Sequence, residues 1–212
     1  MKVDLDLPQD EDLIVDLLKK KKLDYKDALF TFIKENRKDL IELLFDVYGC
    51  DLDFYFTLTP RVNHRDYDTL KAYFEDNWHE TFFQTPFMSA ISYGHENLVC
   101  YFISLNEDIV NQKNEYGYTP ITAAFFSDNI DMVQILLATE KCDFYQELET
   151  GFPLEFLFDN ENHEGIKFLL ETGKVDFNQH KERWIEYHDY CKNHEPEMLQ
   201  LLEDHEFKKI ID

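Results

Sequence analysis

Residue types that can bind a metal or act as a nucleophile lie near the C-terminal end of the sequence. His188, Cys191 and His194 follow one another at intervals of three residues, which would bring a sulfur and two imidazoles along one helix face. Zn²⁺ accepts such ligands, and His180 or Asp189 could supply a fourth, as a metal-dependent hydrolase or transferase would need. The alternative is a structural cysteine, because Cys191 aligns with a column of small residues described below. We favour the structural interpretation.

Other catalytic signatures are missing from the sequence. Histidine–glutamate pairs occur five times, but none continues to HExxH, so the two histidines of a zinc protease never share a helical turn. The sequence contains no phosphate-binding loop, GxSxG elbow or GxGxxG turn, and its six glycines leave little material for one. We therefore name no catalytic residue and expect no enzymatic activity, no cofactor and no metal.

The elements that position these residues belong to a repeated pattern. TPFMSAISYGHENLVCYFI begins at Thr85, and TPITAAFFSDNIDMVQILL begins 34 residues later at Thr119. A third segment, FPLEFLFDNENHEGIKFLL, begins 33 residues further on at Phe152. Because the three align without gaps, we interpret the region as an internal repeat.

Each column of this alignment has a physical reason. Threonine before proline caps a helix whose first turn tolerates proline. Small residues, Ala90, Ala123 and Ala124, let a short first helix lie close to its neighbours, and the final apolar triplet forms the buried face of a second helix. Gly94 suits a turn residue with positive φ between the two helices. At the same position the other two segments have Asp128 and Glu161. The upstream segment DALFTFIKENRKDLIELLF, which fits the same columns, has Asn36 there.

These segments resemble the ankyrin repeat, whose period is 33 residues and whose signature contains T-P-L-H-x-A. The resemblance is good over residues 81–178, where His95 and Gly117 match the family's Gly-His pair and hairpin glycine. It implies an all-α solenoid of stacked helix-turn-helix units with short hairpin loops and terminal capping helices. Among its departures from the signature, Met88, Thr122 and Glu155 replace the histidine, and Phe152 replaces the threonine. The resemblance implies a fold and no particular activity.

We expect one ankyrin-repeat domain over residues 1–212. Its parts are a capping helix (9–23), repeats (24–57, 81–113, 114–146 and 147–179), an insertion with a short helix (58–80) and a degenerate terminal repeat or cap (180–212). The insertion follows from the spacing between Asp27 and Thr85, which exceeds one period; the alternative is a degenerate repeat. We interpret the four lysines at residues 19–22 as the C-terminal end of the capping helix, where the helix dipole favours positive charge. The alternative interpretation is a nuclear targeting signal.

The formal net charge of −23 excludes some classes of partner. It disfavours direct binding of nucleic acid and of anionic membranes and attracts basic proteins, although excess acid also simply promotes solubility. The acidic beginning MKVDLDLPQDED lacks the apolar run of a signal peptide, and the four cysteines form no CxxC pair. We therefore expect a cytoplasmic protein that is monomeric when free. The composition suggests an AT-rich genome, so the cytoplasm could be that of a host cell.

The ankyrin resemblance also implies a binding surface, formed by the hairpin tips and the exposed side of the first helices. Aromatic residues are frequent there and are common anchors of interfaces, although aromatics are plentiful throughout this chain. We expect an adaptor or inhibitor whose acidic, aromatic concave groove binds a basic protein, with an effector acting on host proteins as one form of this role. The alternatives are an acidic mimic of nucleic acid and the metal-dependent enzyme. The expected partner-binding residues are Phe82, Gln84, Ser92, Tyr93, Glu115, Tyr116, Tyr118, Phe126, Ser127, Asp159 and Asn160.

Overall fold

The structure is a computed structural model that describes residues 11–22, 24–49, 85–114, 117–145, 157–158, 162–205 and 207. These residues form helices and no strand, which confirms the all-α fold class. The helices are α1 (Glu11–Lys19), α2 (Tyr25–Lys34), α3 (Lys38–Tyr48), α4 (Pro86–Ser92), α5 (Glu96–Leu105), α6 (Pro120–Phe126), α7 (Ile130–Ala138), α8 (His163–Glu171), α9 (Lys181–His194) and α10 (Pro196–Asp204), with a 3₁₀ helix at Glu107–Asn111. The chain divides into two compact units, residues 1–142 and 143–212.

The described residues of the first unit form three helix-turn-helix pairs, α2 with α3, α4 with α5, and α6 with α7. The first helices of the pairs stack on one another in the order α2, α4, α6, and α1 packs on α3. Ala90 and Ala124 are completely buried, as expected for small residues where neighbouring first helices approach closely. The second helices bury aliphatic side chains such as Leu98, Val133 and Leu136.

Two threonines precede the prolines that begin α4 and α6, but their side chains act differently. The Thr85 hydroxyl oxygen accepts a hydrogen bond from the Met88 amide at 3.1 Å, so it is the expected N-cap of α4. The Thr119 hydroxyl makes no such cap and instead lies 2.9 Å from the Thr122 hydroxyl oxygen. Thr122 occupies the place of the signature histidine, and a threonine there offers Thr119 a buried side-chain partner.

The turns between paired helices have the backbone conformation that the alignment predicts. Gly94 has φ of 73°, and the non-glycine residues Asn36 and Asp128 have φ of 55° and 51°. Asparagine and aspartate enter this left-handed region at less cost than other side chains. The fourth residue of the column, Glu161, lies outside the described residues.

The first two pairs of helices are direct neighbours although residues 49–85 separate them in sequence. His95 Nε2 donates to the carbonyl oxygen of Lys34 at 3.3 Å, and the Phe45 and Phe102 ring centroids are 6.3 Å apart. The first helices α2 and α4 are therefore in direct contact. The predicted insertion, residues 58–80, and its helix lie outside the described residues, so they stay a prediction.

The second unit is built around aromatic side chains. Trp184 of α9 is completely buried, and its ring meets the edges of Phe158 and Phe177, each at 4.9 Å between centroids. Phe177 in turn packs against Phe207 at 5.2 Å. Helix α10 begins at Pro196, since the first turn of a helix tolerates proline.

Candidate protein-binding surface

A hairpin loop places Tyr118 just before α6. The Asn114 side-chain oxygen accepts from the Tyr118 amide at 2.9 Å, and the Asn114 amide donates to the Tyr118 carbonyl oxygen at 2.9 Å. Gly117, with φ of 82°, donates its amide to the Asn114 carbonyl oxygen. Asn114 is itself buried, so the loop is held from inside and the position of Tyr118 is fixed by backbone bonds.

Tyr118 forms an aromatic pair with Phe126, the last residue of α6. Their centroids are 6.0 Å apart and their planes are perpendicular, which is a favoured edge-to-face geometry. Both side chains are half-buried, so each ring is supported on one side and partly accessible on the other.

Tyr93 follows α4 in the preceding repeat. Its ring stacks on His95 at 5.8 Å, and His95 is bonded to the backbone of Lys34 in the repeat before. Tyr93 is half-buried as well. We call Tyr93, Tyr118 and Phe126 together the aromatic surface.

Other predicted partner-binding residues contribute less or are not described. Ser92 is only 6% exposed, because its position on the short helix α4 turns it toward the core, so it offers little surface to a partner. Ser127 is half-buried, and its hydroxyl donates to the Ala123 carbonyl oxygen at 2.8 Å. The remaining six, Phe82, Gln84, Glu115, Tyr116, Asp159 and Asn160, lie outside the described residues.

Exposed carboxylates follow the aromatic surface along the chain. Glu96 begins α5 directly after the turn of Tyr93, and Asp128 and Asp131 flank the turn after Phe126. All three are exposed, and each lies in a turn or in the first turn of a helix, where the helix dipole favours negative charge. The turns therefore add negative charge beside the aromatic rings.

The histidine and cysteine cluster that the sequence offered as a metal site is dispersed on α9. Cys191 is completely buried and His188 is nearly so, with its ring 5.1 Å from that of Phe207. His194 is exposed and stacks on Tyr190 at 4.8 Å. An interval of three residues falls short of a full helical turn, so the third member rotates away from the first. This geometry supports the structural interpretation of Cys191.

The pKa shifts of these side chains and the partners of the candidate fourth ligands also disfavour a metal site. Burial raises the pKa of the Cys191 thiol to about 11, and burial lowers the pKa of His188. Asp189, one candidate fourth ligand, is paired with Lys192 at 2.8 Å, and the other, His180, stacks on Tyr145. Within the part of the chain that the structure describes, no three His, Cys, Asp or Glu residues are arranged to hold a metal ion.

A polar cluster that the sequence did not predict lies beside the aromatic core of the second unit. His163 Nδ1 is 2.7 Å from the Tyr187 hydroxyl oxygen, and His163 Nε2 is 3.7 Å from a Glu195 carboxylate oxygen. Burial raises the pKa of Tyr187, so this phenol stays protonated and is a poor nucleophile. The cluster therefore ties α8 to α9 and α10. Its members are far apart in sequence, and no motif joins them.

A family model described as ankyrin repeats (3 copies) matches residues 61–147. Residues 61–147 therefore contain ankyrin repeats. The resemblance seen in the sequence is confirmed, and so is the fold class of stacked helix-turn-helix units. The ankyrin match begins inside the segment predicted as an insertion, and the domain boundaries there remain a prediction.

Ankyrin repeats mediate protein–protein interactions and are typically not enzymes, so the chain carries a protein-interaction module. No curated protein sequence gives a significant match to it. None of the described helices has the length and apolar character needed to cross a membrane.

Proposed function

We propose that this ankyrin-repeat protein is a non-enzymatic adaptor or inhibitor that binds a basic protein, or an extended basic segment of one, in the cytoplasm. The binding groove would include the aromatic surface and the acidic turns beside it. The observation that supports this most directly is the Tyr118 and Phe126 pair, because both rings are held in place yet partly accessible.

The aromatic surface has the physical character of an interface anchor. A tyrosine or phenylalanine loses few rotamers on binding and buries a large area, and rings that are already supported lose fewer still. Tyr118 is fixed by its hairpin, and Tyr93 by stacking on His95. Affinity would therefore come mainly from these rings.

The negative charge would contribute mostly to the rate of association. Carboxylates beside the rings and a net charge of −23 attract a basic partner over distances set by the salt concentration. The same charge repels nucleic acid and anionic membranes and also other copies of the chain, in keeping with a monomer in the free state. The residue composition is the only support for a partner from a host cell; otherwise the partner belongs to the protein's own cell.

The test is affinity capture from lysate with wild type and a Tyr93→Ala, Tyr118→Ala, Phe126→Ala variant, read by mass spectrometry. A matched control replaces two half-buried tyrosines elsewhere, Tyr101→Ala and Tyr190→Ala. We expect the triple variant alone to lose a basic partner while circular dichroism shows unchanged helix content. Equal capture by wild type and the triple variant would reject the aromatic surface as the binding site.

A charge variant separates this proposal from mimicry of nucleic acid. Glu96→Gln, Asp128→Asn and Asp131→Asn leave the rings intact. Under our proposal the variant associates more slowly and loses salt sensitivity, while the dissociation rate changes little. If binding instead collapses with the rings intact, the acidic mimic is the better explanation.

A further inference from the structure

Basic residues are unevenly distributed along this acidic chain. The stretch KKKKLDYK, residues 19–26, carries five lysines and one aspartate, whereas the whole chain has 21 basic and 44 acidic residues. A local positive patch therefore lies at the N-terminal end of the first unit. Its sign is opposite to that of the rest of the chain.

The backbone around the end of α1 displays these lysines in a fixed way. The amides of Lys20, Lys21 and Lys22 donate to carbonyl oxygens of α1 at 2.9 to 3.0 Å. Lys21 has φ of 51°, the left-handed conformation that closes a helix, and all the lysines of residues 19–22 are exposed. We call residues 19–22 the lysine turn.

Aromatic side chains support the lysine turn from one side. The Lys21 ammonium lies 5.5 Å from the centre of the Tyr48 ring, and Tyr48 stacks on Tyr25 at 5.8 Å. These contacts join the turn to α2 and α3, so the positive patch is part of the folded unit.

Apolar surface continues from the lysine turn along α1. Leu13 is 43% exposed and Leu17 is half-buried. Leu13, Leu17 and Lys20 are spaced four and three residues apart, which places them on one side of a helix. That side offers an apolar strip that ends at Lys20. The Lys20 ammonium lies 2.6 Å from an Asp16 carboxylate oxygen, so the net positive charge beyond the strip comes from the other three lysines of the lysine turn.

We propose that this side of α1 and the lysine turn bind an acidic segment of a protein partner that also carries apolar residues. Carboxylates would pair with the lysines, and an apolar side chain would cover Leu13. The proposal is independent of the aromatic surface, which selects the opposite charge.

Charge and size favour a short acidic segment over a longer polyanion. At physiological salt, charges act over a Debye length of about 8 Å, so a short segment experiences mainly the lysine turn. Nucleic acid or an anionic membrane extends further and would meet the acidic remainder of the chain. A sugar–phosphate backbone also offers no apolar side chain that could cover the apolar strip.

The probe is a fluorescein-labelled peptide, EELAEELAEELA, with QQLAQQLAQQLA as its uncharged control, added to the full chain at low salt and followed by fluorescence anisotropy. The variant Lys19→Gln, Lys20→Gln, Lys22→Gln should weaken binding about tenfold, since each exposed ion pair contributes a small amount. Leu13→Ser should weaken it by a smaller factor and does not alter the charge. The matched control, Lys167→Gln, Lys174→Gln, Lys181→Gln, changes the net charge equally at exposed lysines of the second unit and should bind as wild type does.

Three results would overturn the proposal. The first is no binding of the acidic peptide by wild type, and the second is equal weakening by the two lysine variants. The third is tighter binding of oligothymidine or phosphatidylserine vesicles through the lysine turn, which would assign the turn to nucleic acid or lipid. Because Leu13 and the lysines are exposed, circular dichroism should show unchanged helix content in every variant.

Discussion

The two compact units pack their helices with different side chains. The first unit repeats aliphatic and small residues at fixed intervals, so each helical pair presents the same columns to the next. The second unit gathers aromatic residues from separate elements around Trp184. Periodic columns can be read from sequence spacing, whereas a single cluster can be recognised only when the chain is folded.

Truncation of the aromatic cluster should have the largest effect. Trp184→Ala removes a completely buried ring and is expected to lower the free energy of unfolding by about 3–5 kcal/mol. Trp184→Phe is the control, and it should cost less, because the indole nitrogen has no hydrogen-bond partner within the described residues. Urea denaturation followed by circular dichroism measures both. An alanine variant as stable as wild type would show that the cluster is not the core of the second unit.

Within the first unit, the two threonines that precede α4 and α6 provide a finer test. Thr85→Ala should cost about 1 kcal/mol through loss of the N-cap of α4. Thr119→Ala should cost about 1–3 kcal/mol, because it leaves the buried Thr122 hydroxyl without its partner. Adding Thr122→Val should then restore part of that loss. A double variant less stable than Thr119→Ala alone would contradict the assigned pairing.

Substitutions in the turns between paired helices should change the stability less, and one of them should raise it while the other lowers it. Asp128→Gly relieves a non-glycine residue at φ of 51° and is expected to stabilise the first unit by about 0.5–1 kcal/mol. Gly94→Ala should destabilise it by about 1 kcal/mol, since φ of 73° strains alanine. The added carbon would lie 3.4 Å from Asn129 Nδ2, an ordinary contact, so the cost is conformational. Thermal denaturation midpoints that shift in the same direction for both variants would argue against this account.

The rates at which cysteine thiols react should distinguish Cys100 of the first unit from Cys191 of the second. In a Cys50→Ser, Cys142→Ser background, exposed Cys100 should react rapidly with a disulfide reagent at pH 8 and buried Cys191 should not. The raised pKa of Cys191, about 11 against an ordinary 9, keeps its thiol protonated in the folded state. The stability that burial of this thiol provides is present below pH 9 and is lost as pH rises toward 11. Equal rates for both thiols at pH 8 would contradict the burial of Cys191.

Much of the first unit could be predicted because its determinants are local. The Thr-Pro pairs predict where α4 and α6 begin, and the turn column predicts positive φ at Gly94, Asn36 and Asp128. The sequence was less informative where alternatives of similar energy compete. It predicted the same cap for Thr119 as for Thr85, yet the former pairs with Thr122 because a second hydroxyl is close by.

Spacing alone was a poor guide to the candidate sites. It placed His188, Cys191 and His194 on one helix face, whereas burial separates the first two from the third. It also counted Ser92 as accessible, because column position does not report how closely α2 and α6 approach α4. The cluster of His163, Tyr187 and Glu195 could not be predicted, because contacts between helices bring these residues together and no sequence motif connects them.

The sequence by itself determined the repeat, the helical class, the turn conformations and the excess of negative charge, since each depends on residue type at a local position. Only the tertiary structure decided that α2 stacks directly on α4 and that Trp184 organises the second unit. The pairing of Tyr118 with Phe126 was also decided there. These features depend on which side chains meet across elements, and the energy of such contacts is set by packing geometry, which sequence spacing does not contain.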